Sequence, residues 1–511
     1  MMRKVVATAI PLACLLGLGS AAESGAQPSP GMRLTQQWDV DLPDGHIIAQ
    51  SSPAVAMIDG TAQDPKAAVV VGDRSGALTA VDLESGNARQ LFSSSLPIDA
   101  PPSAAPTTPG GLDTVFFGRG NQAIACRGPG GAWGGYTALR ADGSVLWKGK
   151  VNNPPGDTSC SHNGVMAGMT LVTLKGTLSV IGMSLGQAEH GFVAATGAPL
   201  SGWNPWFQAD SSTSTVAVAQ LNGPSKPPSI IEGGDSTQGN AYGVQYFNGG
   251  HVRIIKPQGN KGTAGSGGLT CAFDTYAQGG QIVASSPAVG GLLSDGAIGI
   301  ASGQGYFAPY HGPVNRLWVV NTSCRKVWSA KTDYLTSSPI LVDVNGDAKL
   351  DVVVGTQDVS VGGQPDHGSV YAFDGSTGSL LWSTPTGSVV GSLAAADLRG
   401  TGHADVVVAT ASGSYGGGIQ VLDGANGDRL WSQWDGTASQ GTPLITADAG
   451  GRIGITLAGY YLNGGTGQLA GRIRHFTVNG SSSADLADPL TSWLEFHHDP
   501  KLSGNVAGPL P

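Results

Sequence analysis

The sequence predicts an all-β fold: eight units of four antiparallel strands each, closed into a ring. Three observations carry that prediction. The stretch from Thr336 to Trp382 reads TSSPILVDVNGDAKLDVVVGTQDVSVGGQPDHGSVYAFDGSTGSLLW. Its four short apolar runs (ILVDV, LDVVVGT, SVYAFD and SLLW), joined by polar loops and a DGSTG turn, describe a meander. The same order recurs along the chain, with Ser-Ser-Pro at 51–53, 285–287 and 337–339 and with Trp147, Trp203, Trp328, Trp382 and Trp431 closing successive units. Finally, 80 glycines and 31 prolines in 511 residues, with only 12% charged residues, suit short strands punctuated by turns rather than amphipathic surface helices. One meander cannot bury both its faces, so it needs neighbours of its own kind.

The units follow in order. The first holds SSPAVAMID, KAAVVVGD, GALTAVD and ARQLF; the second, over 101–147, holds SAAPTTP, DTVFFGRG, GGYTALR and VLW. The third, at 161–206, holds NGVMAG, TLVTLKG, HGFVAAT and a closing PLSGW. The fourth is the most divergent, with STVAVAQLN, PSIIEGG, YGVQYFNG and HVRIIKP, followed by a Gly-rich insert at 258–268. The fifth, IVASSPAVG to CRKVW, is clearer; Thr336–Trp382 is the sixth, and the seventh and eighth run to Trp431 and to GRIRHFTVNG. Eight such units predict an eight-bladed β-propeller with blades of four antiparallel strands, or seven blades if the fourth unit is only partly a blade. A parallel β-helix is disfavoured by the length of the units, and a row of sandwiches by the lack of linkers. A Pro at a strand start needs no ladder hydrogen bond, and large aromatics at this spacing read as packing between blades.

Residues 1–26 read as a signal peptide: Arg3 and Lys4, an apolar run, then small residues around Ala22 and Ala26. Residues 27–44 read as a linker with a strand near Trp38 that can complete the last blade. Residues 45–480 are the propeller, and 481–511 a tail packing on or closing it. No later stretch is long and apolar enough to span a membrane. Cys126, Cys160, Cys271 and Cys324 allow three pairings; the spacings favour Cys126–Cys160 and Cys271–Cys324 in an oxidising, secreted or cell-envelope setting. A net charge of −9, without a basic patch, excludes nucleic acid as a partner.

The endings FDGSTGSLLW and LDGANGDRLW resemble the repeats of quinoprotein-dehydrogenase-like (PQQ-like) propellers, and LVDVNGDAKLDVVVGT resembles the FG-GAP repeat of integrin-like propellers. The resemblance is strongest over 332–432. Both repeats name an architecture with many functions. Family quinoenzymes hold their cofactor against a disulfide between adjacent cysteines, and no Cys-Cys pair occurs here.

The sharpest local signal is Asp343-Val-Asn345-Gly-Asp347-Ala-Lys349-Leu-Asp351. Alternating oxygen donors on a short loop suit a hard cation: side chains of Asp343, Asn345, Asp347 and Asp351, with the Lys349 backbone carbonyl. The FG-GAP resemblance implies calcium there in a structural role. An Asx turn with carboxylates capping backbone N–H groups would use the same residues. Asp397-Leu-Arg399-Gly-Thr401-Gly-His403-Ala-Asp405 is a decayed copy, and Asp59, Asn222 and Asp448 mark similar positions elsewhere. No nucleophile elbow occurs, and His497-His498-Asp499 reads as part of a packed tail.

These features predict a monomeric, exported scaffold without catalytic activity that binds a protein, cell-envelope component or glycan. Its binding surface would be loops around 148–165, 184–212, 258–282, 303–315 and 356–368, with the aromatics of WNPWF (203–207) and YFAPYHGP (306–313) in contact. The alternative is a calcium-stabilised polysaccharide lyase or glycoside hydrolase. A central channel lined by acids, His, Arg or Tyr would favour the enzyme; one lined by Gly, Ala and Ser would not.

Overall fold

The computed structural model describes residues 32–506 apart from 121–133, 152–162, 187, 205, 208–212, 237–238, 242–243, 247–248, 261–267, 276–284, 305–315, 333–334, 358–367 and 412–416. Its sheets form the eight blades of a β-propeller, four antiparallel strands to a blade. From the axis outward, blade 1 is Ala54–Thr61, Asp64–Gly72, Ala77–Asp82 and Ala88–Ser93; blade 2 is Ser103–Pro106, Asp113–Arg119, Gly135–Leu139 and Val145–Gly149. Blade 3 is Met169–Leu174, Thr177–Met183, Ala188–Val193 and Trp206–Phe207; blade 4 is Ala217–Ala219, Ser229–Ser236, Gly249–Ile255 and Leu269–Asp274. Blade 5 is Ala288–Gly290, Gly299–Gln304, Arg316–Asn321 and Lys326–Lys331; blade 6 is Ile340–Val342, Asp351–Gln357, Ser369–Phe373 and Leu380–Pro385. Blade 7 is Ala394–Ala396, Asp405–Thr410, Gly418–Leu422 and Arg429–Trp434. Blade 8 takes Leu444–Ala447, Ile453–Asn463 and Gln468–Val478, and its outermost strand is the N-terminal Leu34–Asp44. The last blade is thus completed by the start of the chain, which closes the ring. Inner and second strands are covered on both faces, so they read as unbroken apolar runs such as DVVV in blade 6.

Successive blades are fastened in three layers. Between sheets lie Val, Ile, Leu and Ala side chains, as in the cluster of Leu317, Val319, Ile340, Val352 and Val354 between blades 5 and 6. At the outer edge, the predicted tryptophans dock on the next blade. Trp147 donates its indole N–H to the Ala194 carbonyl at 2.7 Å, Trp203 to Pro257 at 2.9 Å, Trp328 to Gly375 at 2.8 Å and Trp382 to Gly424 at 2.6 Å. Trp38 does the same across the closure, to Leu83 at 3.0 Å, while Trp431 packs edge-on against Phe476 at 5.7 Å. Nearer the axis runs a belt of hydroxyls whose purpose the sequence did not disclose. In Ser-Ser-Pro the first hydroxyl accepts from a glycine N–H of the second strand, Ser51 from Gly72, Ser285 from Gly303 and Ser337 from Gly355. The second accepts from the preceding blade: Ser52 from the Thr442 N–H, Ser286 from Thr215 and Ser338 from Ser286. At the remaining junctions Thr215 and Thr442 accept from the Gly168 and Ser392 N–H groups, while Ser392, Ser51 and Ser103 donate to the carbonyls of Ser338, Ala100 and Met169.

Two expectations are refined. In blade 4, HVRIIKP is the third strand rather than the fourth, and the Gly-rich insert lies between the third and fourth strands. Within YGVQYFNG, Val244–Tyr246 pairs with Gly239–Ala241 in an extra hairpin rather than forming a blade strand. The disulfide Cys271–Cys324 is present and joins blades 4 and 5. Cys126, Cys160 and residues 1–26 lie outside the described residues. Among the described residues, no helix is long and apolar enough to cross a membrane.

Candidate functional site

The acidic loop of blade 6 connects its inner strand to its second strand, on the face opposite the Ser-Ser-Pro starts. Asp343 organises it. One carboxylate oxygen accepts from the N–H groups of Asn345 (3.2 Å) and Gly346 (2.7 Å), the other from Ala348 (2.8 Å). The Asn345 side-chain oxygen accepts from the Asp347 N–H, and Asp347 from the Lys349 N–H, both at 3.0 Å. The curl forces Ala348 to a φ of 60°. Asp351, at the start of the second strand, accepts from the Val344 N–H at 3.2 Å. Burial drives the Asp351 pKa up to about 7, and the nearby carboxylates of Asp347 and Asp343 push the same way. The Lys349 ammonium projects outward, 3.6 Å from Asp347. The structure therefore brings Asp343, Asn345, Asp347, Lys349 and Asp351 together on one loop, with negative charge at its centre.

Blade 7 carries the same curl with a different solution. Asp397 again caps it, accepting from the Thr401 N–H at 2.8 Å and the Gly402 N–H at 2.7 Å. Arg399, at the position of Asn345, turns its guanidinium onto Asp405, the counterpart of Asp351, at 2.7 and 3.0 Å, and onto Asp423 at 3.0 Å. His403, Asp405 and Asp423 cluster closely enough to hold a metal, but Arg399 already neutralises both acids. Where the chain supplies its own cation the loop is electrostatically complete; in blade 6 that position is an amide.

The channel itself is filled. The tail turns into it after Pro489 and visits the blades in ring order. The Leu490 carbonyl accepts from Asp343 N–H (2.6 Å, blade 6), Trp493 exchanges bonds with Ala395 (2.8 and 2.9 Å, blade 7), and Leu494 accepts from Ile445 (2.6 Å, blade 8). The Glu495 carboxyl accepts from Val55 N–H at 3.3 Å in blade 1. The carbonyls of Pro500, Lys501, Ser503 and Gly504 then accept from Ala104, Leu171, Val218 and Val289 of blades 2 to 5, at 2.8–2.9 Å. His497 is 2% exposed, its ring nitrogens 2.7 Å from the Leu502 carbonyl and 2.9 Å from the Pro287 carbonyl. Asp499 ties His498 and Ser503. His497-His498-Asp499 is therefore packed inside the ring. A cavity of about 510 Å³ opens at the blade 5–6 seam, beside the acidic loop, lined by Leu292, Leu350, Asp351, Leu490 and Val506 among others.

Sequence reasoning missed one further cluster. Between blades 3 and 4 the apolar seam gives way to Glu189, Glu232, His251 and Arg253, with His251 Nε2 3.3 Å from Glu232 and Arg253 3.8 Å from it. Burial pushes the fully enclosed Glu189 carboxyl well up, helped by Glu232. The signal was acids and bases inside strand runs, EGG and HVR, in a chain otherwise poor in charge. Trp203, read both as a unit-closing tryptophan packed between blades and as part of the WNPWF loop, is 1% exposed and docks on blade 4, as the packing reading expects. YFAPYHGP and most of the expected binding loops lie outside the described residues.

Residues 316–459, from the third strand of blade 5 to the second of blade 8, match the family model PQQ_2, described as outer membrane protein assembly factor BamB. Over this stretch the chain is similar to PQQ-like repeats. No curated protein matches the chain. Among solved structures, it is similar to quinohemoprotein alcohol dehydrogenase from Comamonas testosteroni, at 15% identity over 87% of this chain and 76% of that one, TM-score 0.42. It is also similar to the V. cholerae biofilm matrix protein Bap1, at 12% identity over 91% and 92%, TM-score 0.42. BamB from Moraxella catarrhalis aligns at 14% identity over 87% and 100%, TM-score 0.35.

Proposed function

We propose that the chain is a non-catalytic propeller scaffold of the cell envelope or exterior, binding a protein, an envelope component or a glycan through the face on which each blade's second strand turns into its third. The observation that carries this reading is the channel. Each blade presents a backbone N–H to the axis rather than a set of convergent side chains, and the tail takes up these bonds and fills the space between. The acids and histidines that reach the channel, Glu495, His497, His498 and Asp499, belong to this plug and are engaged by Val55, Leu502, Pro287 and Ser503, and the plug occupies the room a substrate would need, which leaves the rim for recognition. The match of three blades' worth of chain to a family described as an assembly factor agrees with a protein partner.

Blade 6 supports calcium as a structural staple on the opposite face. The side chains of Asp343, Asn345, Asp347 and Asp351, with the Lys349 carbonyl, offer the hard oxygen set such an ion takes, and the ion would hold the loop as Arg399 holds its copy.

The test incubates the purified mature chain with a panel of envelope polysaccharides and outer-membrane proteins, reading both product release and cross-links by mass spectrometry. Saturable binding, cross-linked to the second-to-third-strand face with no new reducing or unsaturated ends, is expected. Release of such ends establishes the lyase or hydrolase alternative instead.

A further inference from the structure

We infer that the central channel is a receptor for an extended peptide and that residues 488–506 are its resident ligand, separable from a ring that stands without it.

The contacts have the character of ligand binding. Each innermost strand offers one N–H to the axis: Asp343, Ala395, Ile445, Val55, Ala104, Leu171, Val218 and Val289 in ring order. Seven of these meet a tail carbonyl and one meets the Glu495 carboxyl. Recognition is thus mainly of main chain, as when a strand is added to an open sheet. Side chains then anchor it, with Trp493 1% and Leu502 1% exposed. The segment bends to suit the wall rather than the reverse. His497, His498 and Leu502 all sit at positive φ, 58°, 85° and 56°, a cost for side chains with a β-carbon that only an enclosing surface maintains. Its main-chain bridging also changes sense along its course, antiparallel at Ala395 and parallel at Val289.

The ring, by contrast, is closed by devices that do not involve the segment. The N-terminal strand Leu34–Asp44 completes blade 8. The Ser and Thr hydroxyls join each blade to the next, including Ser52 to Thr442 across the closure. Trp38, Trp147, Trp203, Trp328 and Trp382 fasten the rim. The segment belongs to none of the blade sheets. Leu490, near its start, and Val506, after a full circuit of the blades, both line the cavity of the blade 5–6 seam.

The experiment uses the full chain. A protease recognition sequence is inserted between Ala487 and Asp488, both exposed, and the folded protein is cleaved. The expected result is that the fragment from 488 onward stays with the ring on gel filtration, is stripped by moderate urea without loss of the β circular-dichroism signal, and is replaced saturably by a fluorescent synthetic peptide of residues 488–506. A peptide with Trp493→Ala and Leu502→Ala is expected to bind clearly more weakly. Collapse of the β signal on stripping, or a stripped ring that retains its signal and does not take up the peptide, overturns the inference: the first makes the segment part of the core, the second denies a receptor.

Discussion

Replacing Trp328 tests how the rim holds blades together. Its indole is 7% exposed and donates to the Gly375 carbonyl at 2.8 Å. The turn residue Gly378, at a φ of +71°, lies flat on the ring: a β-carbon there would stand 2.6 Å from Cδ2 and Cε3. Trp328→Phe keeps the apolar contact and leaves the carbonyl unpaired, a cost of about 1–3 kcal/mol. Trp328→Ala also loses the packing, about 3–5 kcal/mol. Gly378→Ala carries two costs. The left-handed backbone contributes about 1–2 kcal/mol, and overpacking against the indole about 1–3 kcal/mol. The second cost vanishes once the indole is gone. Gly378→Ala is therefore expected to destabilise the Trp328→Ala protein less than the wild type, by about 1–3 kcal/mol of coupling. Urea midpoints followed by circular dichroism measure all four proteins. Equal costs of Gly378→Ala in both backgrounds, or equal costs of Phe and Ala at 328, refute the docking account.

Calcium titration calorimetry on wild type should show one saturable site, weakened ~10-fold or more (about 1.4 kcal/mol) by Asp347→Ala and removed by Asn345→Arg, which installs the guanidinium of blade 7; unchanged affinity in either variant ends the assignment. His475 is stacked on Trp38 at 5.1 Å and bonded to Thr456 at 2.9 Å, and burial lowers its pKa from 6.5 to about 4. The unfolded chain takes up this proton first, so stability is full above pH 6.5 and falls as pH drops toward 4, by about 3 kcal/mol at about 1.4 kcal/mol per unit. His497, its pKa also held by burial at about 4, contributes a loss common to both proteins, so the fall in midpoint from pH 7 to pH 4.5 should be smaller for His475→Gln than for wild type, and an equal loss in the two contradicts the assignment. Replacing Cys271 and Cys324 by Ser opens a loop with a sequence separation of 53, expected to cost about 3–4 kcal/mol; a midpoint unchanged from the oxidised wild type refutes a stabilising bridge.

The legible parts of the sequence were those set by local period and turn chemistry. Asp374-Gly-Ser-Thr-Gly378 announced a turn because Asp374 caps it, accepting from Ser376 and Thr377, and only glycine suits its last position against Trp328. The strand runs were visible because burial on both faces makes them continuously apolar. What was hidden depended on distant partners. Ser52 and Thr442 are 390 residues apart, so a hydroxyl belt looks like ordinary turn composition. The tail's path was illegible because its partners are backbone N–H groups, which carry no side-chain signature. In the candidate site the donors Asp343 to Asp351 were readable from spacing, but the role of Arg399 as a built-in cation needed Asp423, from a different strand connection.

Hydrogen exchange tests the ring and its plug together. Resolved to single amides by mass spectrometry or NMR, the N–H groups of Val55, Ala104, Leu171, Val218, Val289, Asp343, Ala395 and Ile445 are each bonded to the tail. The account predicts slow exchange at all eight in the intact chain and selective loss of that protection when the segment from 488 onward is stripped, with the second and third strands of every blade still protected. Fast exchange at these eight amides in the intact chain, at the rate of exposed turns, would contradict it.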